Sequence, residues 1–141
     1  MKPRWLSVLV VAVAGGCATP RPPPDLAHII IDRAPSSRVL VERGWLVREH
    51  EQLFLVGEVA KQLGDPDTTA THLDVRLLDR AGKVLREETV EFTPRQIPWG
   101  RRMHGHSSFR YRLDPLPPET ARIEVAAHET VHTEVPTLRN P

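Results

Sequence analysis

The sequence predicts an all-β protein, a single antiparallel sandwich of about six to seven short strands behind a leader and a proline-rich spacer. Three observations carry this. No long window places apolar residues at helical spacing. Several segments alternate instead, "THLDVRLLD" and "HSSFRYRL" most cleanly. Turn-forming clusters recur between them, "GDPDTTA", "DRAGK" and "DPLPPET". The 141 residues are 26% charged and 40% hydrophobic, which suits one globular domain with a tail and excludes a disordered chain or a polytopic membrane protein.

From about His28 the pattern becomes β. "SRVLVERGWLVREH" and "LFLVGEVAK" are rich in Val, Leu and aromatics, and Gly64 to Ala70 breaks the chain. In "THLDVRLLD", Leu73, Val75 and Leu77 share the core parity, with His72, Asp74 and Arg76 on the outward one. Asp79 to Lys83 reads as a hairpin, Asp79 opening a type I turn and Gly82 closing it at positive φ. "KVLREETVEF" is the return strand, with Val90 and Phe92 on one face. After the proline-interrupted "TPRQIPWGRRMHG", Phe109, Tyr111 and Leu113 face inward and Ser108, Arg110 and Arg112 outward. Pro117 to Ala121 allows a single turn, and Ile123, Val125 and Ala127 complete the core from the last strand. A body of this size buries enough apolar surface to fold without disulfides.

The amino terminus is different in kind. Lys2 and Arg4 precede an apolar run from Trp5 to Ala14, and small residues lead to Cys17, the only cysteine. That run is too short for a permanent membrane helix, which needs about 20 apolar residues. A positive start, a short apolar centre and small residues before a cut form the pattern of a secretory signal peptide. A lone thiol in an oxidising compartment has no internal partner, and thioether modification removes the liability.

"AGGC", Ala14 to Cys17, resembles the lipobox of bacterial lipoproteins, with Ala14 where that family usually has Leu. The resemblance implies cleavage before Cys17, lipid on Cys17, and anchoring to a membrane of the cell envelope. With Ala18 rather than Asp next, it implies the outer membrane, the body facing the periplasm. More than one acyl chain makes such an anchor stable, at about 0.8 kcal/mol per buried methylene. The expected organisation is a signal peptide at 1–16, lipidated Cys17 and spacer at 17–26, the sandwich at 27–135 and a tail at 136–141. The prolines of the spacer hold the body some 20 Å from lipid, at roughly 3 Å per residue. Removal of Lys2 and Arg4 takes the formal charge from +1 to slightly negative, which argues against a nucleic-acid partner.

The strand order, with "LDRAGKVL" followed late by "FRYRL", resembles the small immunoglobulin-like sandwiches of the FxLYD type over about Trp45 to His128. Those motifs are general to β-hairpins, so the resemblance implies fold and says little of function.

The chain holds seven histidines, and "MHGH" sets His104 and His106 two apart, on one face of an extended strand. Met103 adds a soft thioether, and His128 would complete a copper or zinc site if its strand lay alongside. Against this stand the solvent parity of both histidines, the absence of a carboxylate in the motif, and the charges of Arg101, Arg102 and Arg110. His106 and Ser107 fall on opposite faces and no G-x-S-x-G is present, so no nucleophilic set is seen. Arg95, Arg101, Arg102, Arg110 and Arg112 with Trp99 form a basic segment suited to an anionic partner, though such runs are often simply solvated. The reading that results is a non-enzymatic, cofactor-free binding or scaffolding module of the cell envelope. It would contact an envelope protein or glycan through strand edges or through Trp99, Arg101 and Arg102. The alternative is a metal-binding protein using Met103, His104 and His106.

Overall fold

The structure, a computed structural model, describes residues 21–64, 66–98 and 105–129. A short 3₁₀ turn, Pro24–Leu26, leads into eight strands: β1 Ile30–Ala34, β2 Val39–Glu49, β3 Gln52–Lys61, β4 His72–Leu78, β5 Val84–Val90, β6 Phe92–Thr93, β7 His106–Arg112 and β8 Arg122–His128. They form two four-stranded sheets, β1-β8-β4-β5 and β2-β3-β7-β6. Taking β2, β3, β7 and β6 as strands A, B, E and D, and β4 and β8 as C and F, this is the pairing order of an immunoglobulin sandwich.

Two features differ from expectation. The described residues form eight strands where about six to seven were expected, because Ile30–Ala34 is a strand of its own and the expected return strand bends at Glu91 and divides between the sheets. Val90 therefore belongs to one sheet and Phe92 to the other, both buried. The second difference is direction. β1 pairs with β8 in parallel, Ile31 opposite Ile123, and takes the edge that a final antiparallel strand fills in an immunoglobulin domain.

The core forms where the alternation places it. Leu73, Val75, Leu77, Ile123 and Val125 face Leu46, Leu55, Val59, Phe92 and Phe109 across the sheets, each at most 3% exposed. Leu113 and Ile97 are also closed off from solvent. Leu26 joins this cluster, so the packed body includes the end of the spacer. Asp25, one residue before it, receives both terminal nitrogens of Arg48, at 3.1 and 2.8 Å. Gly82 has φ 82°, and its amide donates to the Asp79 carbonyl, which closes the β4–β5 hairpin as its turn residues require.

The flank between β5 and β7 is closed by a side chain. Arg86 donates to the carbonyls of Leu113 (2.7 Å) and Pro115 (2.9 Å), and its guanidinium lies 5.9 Å from the centre of the Tyr111 ring. These carbonyls lie just past the end of β7, on the flank where β6 pairs only with Phe109 and Ser108.

Candidate functional site

The registers give the sandwich two distinct ends. The Pro24–Leu26 turn, the β2–β3 turn and the β4–β5 hairpin lie at one, and the β3–β4 and β6–β7 connections at the other. The Pro24–Leu26 turn thus stands at the end opposite these two connections. They are tied together: Thr68 accepts from the Ile97 amide (3.0 Å) and donates to the Arg95 carbonyl (2.7 Å), and Gln96 accepts from the Thr68 amide (3.1 Å). Arg95 turns back to the Thr69 carbonyl and to Glu91.

Trp99, Arg101, Arg102, Met103 and His104, like Cys17, lie outside the described residues, but both flanks of the first five are placed. A Cβ on Gly105 would overlap the Pro98 carbonyl, so the chain leaves and rejoins the body at one pinch point that admits only glycine without a shift. His106 begins β7 on the exposed face, with Nδ1 3.0 Å from Glu42 Oε2. The motif has no carboxylate of its own, and Glu42 of β2 supplies one from another strand. A β-bulge between Val41 and Arg43 explains why sequence missed it: the extra residue lets Glu42 and Arg43 both reach the outer face.

Three of the basic residues are also less free than their sequence grouping suggests. Arg110 binds Glu49 through two nitrogens (3.2 and 2.8 Å), Arg95 binds Glu91, and Arg112 lies 3.9 Å from Asp114. The Arg110 hydrogen bonds hold the Glu49 carboxyl below its ordinary range.

His128 does not lie beside His106. It is in the other sheet, paired with His72 across β4 and β8, the rings stacked at 6.1 Å. Between them sits Asp74, 1% exposed, its oxygens 3.6 Å from His72 Nε2 and 3.4 Å from His128 Nε2, with Thr89 Oγ1 at 3.3 Å. The outward parity of His72 and Asp74 is thus not a solvated one. Both are buried and engaged, whereas Arg76 on the same parity pairs with Glu87 and Glu124. Among the described residues no group of three or more His, Cys, Asp or Glu side chains is arranged to hold a metal ion.

The outer face of the β2-β3-β7-β6 sheet holds what sequence reading passed over. Trp45 pairs with Val56 and Val47 with Phe54, all four on the side away from the core and only partly exposed. Charged pairs frame this block across the strands. Arg43 donates to Glu58 through two nitrogens (3.0 and 2.5 Å) on one side. On the other, Arg110 lies over the Phe54 ring, 3.7 Å from its centre, on its way to Glu49. The signal was present as "LFLV", Leu53 to Val56, a continuous apolar run where a one-sided strand would alternate. Comparison with protein-family models, with curated proteins and with solved structures gives no match.

Proposed function

We propose that this chain is a lipid-anchored, non-enzymatic binding module of the cell envelope, held to the outer membrane through Cys17 and presenting the Trp45 face to another envelope component. The observation that carries the binding role is that block of Trp45, Val47, Phe54 and Val56, outward-facing in a sandwich whose core is complete without it. Contiguous apolar surface rimmed by polar groups marks an interaction site more often than a solvated face. Trp99, Arg101 and Arg102, outside the described residues, remain further contact residues on the sequence alone. Anchoring itself rests on the sequence from Lys2 to Cys17.

Two measurements test this. Labelled fatty acid should enter the wild-type chain and not Cys17→Ser; equal labelling rules the anchor out. A photoreactive benzophenone at position 45, which inserts into C–H bonds of protein and glycan alike, should form an adduct in the native envelope. The same group at exposed Glu87, on the other sheet, should not. Equal yields at the two positions, or none at 45, would remove the binding reading.

A further inference from the structure

Resting on that binding reading, we infer that the outer face of the β2-β3-β7-β6 sheet takes an uncharged, flat, hydroxyl-rich ligand: a neutral β-linked polysaccharide laid across Trp45, with the Arg110–Phe54 stack beside it. Three properties of the face select this class.

The first is shape. The face is the surface of a paired sheet, with Trp45 and Phe54 at diagonal positions of adjacent strands, about 7–8 Å apart in such a ladder. Protein partners usually concentrate affinity in an anchor that fills a pocket. The ring face of a pyranose is instead flat, and its axial C–H bonds point at whatever lies beneath. An aromatic face, carrying the negative side of its quadrupole, is a matched support.

The second is charge. Arg43 is held by Glu58 and Arg110 by Glu49, each cation paired to a carboxylate, and Arg112, opposite Phe54, lies 3.9 Å from Asp114. A lipid surface would call for unpaired basic residues, and an anionic polymer would have to break these pairs. An uncharged ligand requires neither.

The third is hydrogen-bonding character. Carboxylates accept and guanidinium groups donate, and both stand at the rim beside the aromatic centre: Glu58 with Arg43, Glu49 with Arg110. A hydroxyl is both donor and acceptor, so sugar hydroxyls at the ring edge find partners of each kind while the ring face covers Trp45. Arg110 already lies over Phe54, so the guanidinium covers that ring face and stands as a donor at the edge of the apolar block.

The test uses the full chain and two insoluble probes, cellulose and chitin. The expected result is retention on at least one of them, insensitive to added salt and reversed by the corresponding soluble oligosaccharide. Trp45→Ala should lower retention about tenfold or more, the scale of losing an aromatic anchor, and Trp45→Phe should restore most of it. Thermal melts of each variant identify loss by unfolding, and should Trp45→Ala fail to fold, Trp45→Leu takes its place. Retention on neither probe, retention that Trp45→Ala leaves unchanged, or retention that salt abolishes would overturn the inference. A position-45 adduct that is protein rather than glycan would also overturn it, while leaving the binding-module reading intact.

Discussion

Replacing Arg86 by Met should destabilise the domain by about 2–3 kcal/mol, and the figure follows from the flank it closes. Two charge-assisted hydrogen bonds, to Leu113 and Pro115, are lost, each worth roughly 1.5–3 kcal/mol. Their acceptors are backbone carbonyls beyond the reach of β6, which pairs only with Phe109 and Ser108, so no ladder replaces them. An opposing term reduces the loss. Arg86 Nε is buried with no hydrogen-bond partner among the described residues, and removing it recovers about 1–3 kcal/mol of desolvation. The approach of the guanidinium to the Tyr111 ring, at 5.9 Å, is lost as well. Urea denaturation at constant m-value gives the difference directly. Arg86→Lys provides the control: an ammonium reaches one carbonyl without the fixed fork, so it should recover part of the loss and not all. A Met variant within about 0.5 kcal/mol of wild type would refute the idea that this side chain seals the sandwich.

Two other outcomes follow from the same packing and charge. Phe109, 3% exposed and seated against the Cα of Gly57, should cost about 3–5 kcal/mol when truncated to Ala; a variant that melts with the wild type would contradict the core described above. The acid limb of stability should rest on Asp25, Glu49, Asp67 and Glu129, whose carboxyls are held below their ordinary values by Arg48, Arg110, the Thr69 amide and the Ser37 hydroxyl respectively. Each has a depressed folded pKa, so its contribution is present above the ordinary values of 3.8 and 4.5 and is lost as pH falls through the folded value. Tm should therefore hold down to about pH 4.5 and decline below it, with a shallower decline in Arg48→Met. An acid limb of equal steepness in that variant would show that the Asp25 pair contributes nothing there.

What was legible in sequence was whatever one strand encodes by itself. β4, β7 and β8 each keep their large core residues on one parity, so the period-2 pattern is visible without knowing the partner, although His72 and Asp74 on the other parity of β4 are also buried. The β4–β5 turn was legible because Asp79 and Gly82 carry its chemistry. The β2–β3 turn was not, because His50 and Glu51 both take positive φ, at 47° and 66°, where Asn-Gly would normally announce such a hairpin. The parallel place of β1 depends on β8, some ninety residues away in sequence, and no local pattern encodes it. The burial of Asp74 needs His128, and the pairing of His106 needs a bulge in β2. Both are contacts between segments whose own patterns are silent about each other.

The outer face of β3 is the instructive case, because its signal was local and still went unread. Inward-facing Leu53 and Leu55 are at most 3% exposed and already fill the core. Phe54 and Val56, on the opposite parity, contribute nothing to it. Polar residues on that side would leave the core unchanged and lower the risk of sheet-to-sheet association. The departure from alternation is also confined. β7, next in the sheet, returns to Ser108, Arg110 and Arg112 on the same face, and β2 joins the departure at Trp45 and Val47, with Leu40, 38% exposed, near its start. A defect of patterning would not be expected to assemble an aromatic pair on a diagonal and frame it with matched ion pairs on both sides. In the proposed reading, an apolar run longer than one face can use, in a strand of a sandwich, is the sequence trace of the contact face. Here it lies in the middle of a sheet, away from the loops where the histidines and arginines had drawn attention.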